Sequence, residues 1–247
     1  MNTYHREEPP HGASQEGAWE VQIKFFFFDA SAIVKLIIDE PGSALANQIR
    51  GGTGNSIHTS GLCIAESLRV LKRKFESPKD SVNQRDYEFY KYLLNAHVRD
   101  RLHLVDEVRL QERSDRFEAY ETLAGHLSRY KEDFSGRDKR FRDPEYCGYV
   151  SEHLLSTLKV LHYKHKEGGG AGDYVSDVVD MCRKHEDIDA IDALQLVAIK
   201  RGFLRIFAAD SSARLVSADR ELLRAARAET IPTIDVGRDE TRTAERG

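Results

Sequence analysis

Cysteine is scarce in this chain, basic charge is not in excess, and no apolar run is long enough to cross a membrane. The three cysteines, Cys63, Cys147 and Cys182, are far apart and odd in number. That argues against a disulfide scaffold and for the reducing cytoplasm. No stretch approaches the roughly 18 apolar residues of a membrane span, and the N-terminus lacks a signal-peptide pattern. A formal net charge of −4 excludes a globally basic surface, so a nucleic acid would have to be held by local patches. The glycine-rich "GGTGN" at 51–55 has no Lys-Ser/Thr after it and reads as a turn, not a phosphate loop. What is present suffices for a sizeable core, since 40% of the 247 residues are hydrophobic.

The most informative stretch is "FFFFDASAIVK", residues 25–35. Four phenylalanines without alternation suit a strand covered on both faces, as in a parallel sheet. Asp29 then falls at the C-terminal edge of that strand, where open α/β sheets place their ligands. Strand and helix alternate onward. "SAIVKLIIDE" and "GSALANQIR" have helical spacing around Pro41-Gly42, and "NSIHTS" reads as a strand. "GLCIAESLRVLKRKF" is an amphipathic helix starting near Ser60, with Leu62, Ala65, Leu68 and Leu71 on one stripe. A helix over about 81–99 leads to a third strand in "RLHLVDE". After a break the pattern resumes with helix "DIDAIDALQLVAIKRG", strand "ARLVSAD", helix "RELLRAARAE" and strand "TIPTIDV". This order predicts a doubly wound α/β fold with a central parallel sheet between helical layers.

Residues 107–172 form the break. They are highly charged, read as two long helices around "DFSGRDKRFRDPEY", and end in the hinge "GGGAG". The expectation is an α-helical insertion standing off a domain that spans 23–237. Residues 1–22 read as a flexible extension and 238–247 as a flexible tail.

Four carboxylates occupy comparable places in this scheme. Asp29 ends the first strand and Asp219 ends "ARLVSA". Glu66 sits one turn into its helix, level with Leu62. Asp192 opens "DALQLVA", with Asp189 one turn earlier on the same stripe. Strand C-termini and helix N-termini share one edge of a parallel sheet, so these groups can converge. Two carboxylates 4 Å apart repel by ~4 kcal/mol at an effective dielectric of 20. Convergence therefore implies raised pKa values or a bound cation. Oxygen ligands alone favour Mg²⁺ or Mn²⁺ over zinc. Plainer roles exist for each residue. Asp29 and Asp219 stand where helix N-caps stand, Asp189 and Asp192 lie where the helix dipole favours negative charge, and Glu66 has Arg69 and Arg73 within reach on its own helix.

Other groupings carry less. His153, His162 and His165 on one helix, and Cys182 with His185, lack the further ligands that zinc requires. The basic stretches "RVLKRK" and "GRDKRFR" could touch phosphates, with Phe141 or Tyr146 for stacking. Trp19 and "DYEFYKYLL" read as packing residues.

The strings "FFDASAIVKLIIDEPGS", "HTSGLCIAESLRVLKRK", "IDALQLVAIKRG" and "RLVSADRELLRAA" resemble, in order, PIN-domain ribonucleases, and within them the VapC-like toxins of bacterial toxin–antitoxin pairs. The resemblance covers roughly half the chain. It implies a three-layer α/β/α PIN-like fold with a metal-dependent endoribonuclease site. The family's acidic positions match Asp29, Glu66, Asp192 and Asp219, which would be catalytic and would hold Mg²⁺ or Mn²⁺. Ser31, Ser60 and Ser217, with Asp189, would support them, and Lys35, Arg69 and Arg73 would hold the RNA. An antitoxin partner and a homodimer are implied by the resemblance alone. The long insertion departs from the compact toxins. Two rival readings stand beside this one: a non-catalytic PIN-fold module that binds RNA or protein, and a structure-specific DNA nuclease. A haloacid-dehalogenase-type phosphatase is rejected, because the second Asp it needs two residues after the first is Ser31 here.

Overall fold

A computed structural model describes residues 23–75, 81–100, 102–104, 106–108, 116–134, 150–151, 158–160, 171–201 and 213–237. The expected extension (1–22), the tail (238–247), the loop 135–146, the three helix histidines and Trp19 lie outside them.

The chain opens with β1, Lys24–Phe28, whose last three phenylalanines are buried. No polar residue alternates with them because both sheet faces are covered. Asp29 ends the strand in extended conformation and caps α1, Ala30–Lys35. After a turn come α2, Ser43–Gly51, and β2, Asn55–Thr59. Gly42 holds φ +89°, and a Cβ there would strike the Val236 carbonyl oxygen at 1.8 Å, so only glycine lets α2 start against the last strand. The helix α3, Gly61–Phe75, is capped by Ser60, whose Oγ accepts from Cys63 N at 3.0 Å. Then follow α4, Ser81–Asp100, and the short β3, His103–Leu104.

The chain continues through β4, Asp106–Val108; α5, Arg116–Phe134; β5, Leu158–Val160; and α6, Ala171–Lys184. It closes with α7, Ala190–Arg201; β6, Arg214–Ser217; α8, Arg220–Ala228; and β7, Thr233–Asp235.

Five strands form one sheet in the order β3-β2-β1-β6-β7, and every neighbouring pair is parallel. The protein is therefore α/β, and this sheet with its connecting helices fits three layers. From β1 the chain first builds outward through β2 and β3, then returns to build β6 and β7 on the other side. The switch in direction lies between β1 and β6, where the strand ends leave a crevice. The register Phe28↔Val216 sets Asp29 level with Ser217 across it.

The interrupting segment differs from the expectation. It is not purely helical, because β4 and β5 pair antiparallel, with Asp106 opposite Val160. Nor is α5 a free arm. It packs along α3, and Tyr120, Leu123 and Leu127 are fully buried with Phe117 close behind. Those residues recur at helical spacing and make a real apolar stripe. The abundant charges around them masked it. Of "GGGAG", Ala171 and Gly172 already belong to α6.

Candidate functional site

Asp29 is buried at the sheet edge, only 4% exposed. Its Oδ1 accepts from Ala32 N at 2.8 Å and from Ser31 Oγ at 2.8 Å, and its Oδ2 accepts from Ser217 Oγ at 2.7 Å. Ser217 is 188 residues away in sequence and reaches Asp29 only because β1 and β6 are neighbours. Burial pushes the Asp29 carboxyl up to about 7, against the hydrogen bonds from Ser217, Ala32 and Ser31, and the charge of Glu66 adds to the rise.

The two serines also tie the crevice walls together. Ser31 Oγ accepts from Ala218 N at 2.7 Å, and Ser217 Oγ accepts from Asp219 N at 2.9 Å. Asp219 caps α8 through Oδ1, accepting from Glu221 N at 2.8 Å and Leu222 N at 3.1 Å. Asp189 caps α7, accepting from Ile191 N and Asp192 N, while Asp192 Oδ2 accepts in return from Asp189 N at 3.3 Å. Capping is thus real for Asp29, Asp189 and Asp219. It does not remove them from the crevice.

Asp29, Glu66, Asp189, Asp192 and Asp219 all line a single cleft of about 330 Å³, together with Ser31. Four parts of the fold deliver them: the β1 end, the α3 face, the start of α7 and the β6 end. Glu66 is half-buried and faces Arg69 Nη2 at 3.6 Å, an ion pair along α3. Glu40, Asp187 and Glu221 add three more carboxylates to the lining, and among the described residues Lys74 is its one cationic side chain. Lys74 Nζ is itself taken by Glu40 Oε2 at 2.6 Å. The cleft is strongly acidic and its cations are outnumbered.

Three expected roles change. Ser60 belongs to the start of α3, where its hydroxyl meets Cys63 Sγ at 3.1 Å and caps the helix, and its bonds go there and not to the acidic cluster. Lys35 is buried, with Nζ bound to Glu40 Oε1 at 3.1 Å and to the Pro41 carbonyl at 2.5 Å. A cation so engaged braces the α1–α2 turn and is not offered to a substrate. Arg69 and Arg73 line a second cleft of about 390 Å³, with Lys72, Tyr87 and residues of α5 such as Gly125 and Ser128. Among the groups the sequence did not single out, Thr59 Oγ1 donates to the Phe28 carbonyl at 2.8 Å, and Ser67 Oγ donates to the Cys63 carbonyl at 2.7 Å and the Ala30 carbonyl at 3.3 Å. Thr59 ties the β1 end to β2, and Ser67 ties α1 to α3, the helix that carries Glu66. Hydroxyls at a strand end and mid-helix, on either side of Glu66, were the available signal.

The donor set suits a hard divalent cation in kind: carboxylate and amide oxygens, without sulfur or imidazole. Among the described residues, no three His, Cys, Asp or Glu side chains are drawn together into a ready-made metal cage. The carboxylates line one cleft without making such a group. Among the described residues no helix is long and apolar enough to cross a membrane.

An α/β protein with an acidic cleft at its sheet's switch point is the class that fold and geometry define. No protein-family model matches the chain, and neither does any curated protein or solved structure.

Proposed function

We propose that this chain is a PIN-like, metal-dependent endoribonuclease that hydrolyses RNA phosphodiester bonds, acting in the cytoplasm as the toxin of a VapC-type toxin–antitoxin pair. One observation carries the reading. Asp29, Glu66, Asp192 and Asp219, from four separate elements, line one cleft at the C-terminal edge of a parallel sheet ordered β3-β2-β1-β6-β7.

These four would hold Mg²⁺ or Mn²⁺, with Asp189 beside them. When bound, the ion supplies Lewis-acid stabilisation of a phosphate oxygen and lowers the pKa of a bound water. The chain's own groups do the positioning. Ser31, Ser217 and the Ala32 amide clamp both oxygens of Asp29, so its carboxylate points into the cleft without rotating. Arg69, paired with Glu66, and Arg73 line a second cleft with Lys72, and these cations would attract the phosphates of an RNA. A basic segment of an antitoxin would be attracted to so acidic a cleft.

Cleavage of a labelled RNA, and of DNA of the same sequence, tests this with Mg²⁺, Mn²⁺ or EDTA. Wild type should cut RNA only with metal, and Asp29→Asn should not cut it. Unchanged cleavage in EDTA or in Asp29→Asn would remove the reading, and preference for DNA would replace RNA as substrate.

A further inference from the structure

Gln195 lies on α7 one turn beyond Asp192, the i, i+3 spacing that places both on one face. It lines the same acidic cleft. The residue is only 2% exposed, and among the described residues no group donates to its Oε1. A buried acceptor left unmet is costly, and native structures rarely tolerate one without an external partner. The surroundings narrow that partner. Asp29, Glu66, Asp192 and Asp219 share the cleft with four further carboxylates, Glu40, Asp187, Asp189 and Glu221, and among the described residues Lys74 is the one cation of the lining, so negative charge is in surplus. An amino group of a nucleobase would satisfy the amide but leave the carboxylate charges standing. A divalent cation with its coordinated waters answers both needs: positive charge for the carboxylates, and outward-pointing O–H donors for a neutral oxygen at the rim.

We infer that Gln195 is a positioning residue of this cleft, its Oε1 accepting a hydrogen bond from the hydration shell of a divalent cation held by the four carboxylates. The inference rests on the metal-dependent reading above and assigns the amide a place in it. Gln195 touches the ion only through water. It therefore sets the ion's place and hydration, not the charge that binds it. A polar residue whose oxygen meets no donor among the described residues then has a reason to sit among the buried side chains of α7.

The test uses the full chain stripped of metal, with Mn²⁺ as probe. Mn²⁺ affinity is read by calorimetry, ion environment by electron paramagnetic resonance, and thermal unfolding is followed in EDTA. Gln195→Met keeps the shape without the acceptor. It should weaken Mn²⁺ binding about tenfold, the lower end for an outer-shell partner, while raising the unfolding temperature of the metal-free protein. Gln195→Glu restores an acceptor and should recover the affinity. If Gln195→Met binds Mn²⁺ as wild type does, with an unchanged spectrum, the inference is overturned while the acidic site stands. It is overturned too if that variant keeps Mn²⁺ but loses RNA binding, since the amide would then read a base. If wild type itself binds no Mn²⁺, the metal-dependent reading fails and this inference falls with it.

Discussion

Two buried carboxylates in this molecule meet opposite surroundings. Asp29 and Glu229 are almost equally hidden, 4% and 6% exposed. Burial pushes both upward, yet Asp29 ends at about 7 and Glu229 at about 2. Asp29 lies the deeper of the two, and the neighbours differ. Glu229 accepts from Lys184 Nζ at 2.6 Å, from Lys200 Nζ, and from His185 Nε2 at 2.7 Å, and these bonds outweigh its desolvation. It pins the end of α8 to α6 and α7, and the protein alone satisfies it. Asp29 has hydroxyls and one amide for donors, and further carboxylates for company. One site is a closed staple, and the other, in the function proposed above, takes its charge from a bound cation.

The contrast breaks most visibly at Asp29. Asp29→Asn should lower metal-dependent RNA cleavage by about 10³-fold or more, because several kcal/mol of charge stabilisation are at stake. In EDTA at pH 8 the same variant should be more stable than wild type by ~2–4 kcal/mol in urea melts, since it no longer buries a repelled charge. A variant both inactive and less stable would mean that Asp29 is a structural cap only.

Glu229→Gln is the converse change. It should cost ~1–3 kcal/mol of stability, limited by the partial exposure of the two lysines, and leave cleavage within about twofold. Stability unaffected by it would sink the staple.

The pH response separates the two by sign. The folded pKa of Glu229 lies below its ordinary 4.5, so its contribution is complete above that value and is lost as pH falls toward about 2. For Asp29 the folded pKa lies above its ordinary 3.8. The unfolded chain releases that proton first, so the metal-free protein loses stability from this group as pH rises from 3.8 to about 7. Urea melts of wild type against Asp29→Asn and Glu229→Gln across pH 3–8 isolate each limb.

The smallest contrast compares two serines. Ser60→Ala should cost ~1 kcal/mol as a lost cap and leave metal affinity alone. Ser217→Ala should raise the Asp29 pKa further and weaken Mn²⁺ binding. Equal effects from the two would deny Ser217 its special place.

Local signals made much of this legible. The non-alternating Phe25–Phe28 run ending in Asp29 declared a doubly covered strand with a charge at its tip, and "LVSAD" declared a second. Glu66 stood out as an acid on an apolar face. What stayed hidden in the sequence is non-local. Whether Lys35 is free or buried depends on the Pro41 carbonyl, and Ser60 and Ser217 look alike until the β1–β6 register puts one beside Asp29. The α5 stripe was hidden among charges, and nothing short of α3 being next to it reveals that it packs. Gln195 reads as an ordinary polar residue on a helix until its oxygen is found buried without a donor among the described residues. Glu229 reads as an exposed helix end until α6 and α7 bring two ammonium groups and an imidazole to it.

The most direct test of the central claim is a ¹³C carboxyl titration of Asp29 by NMR, with and without Mg²⁺. A cleft assembled to hold a cation predicts a midpoint near 7 in EDTA that drops by more than about one unit when Mg²⁺ is added, because the ion displaces the proton. A midpoint near the ordinary aspartate value, or one that Mg²⁺ leaves unmoved, would contradict it.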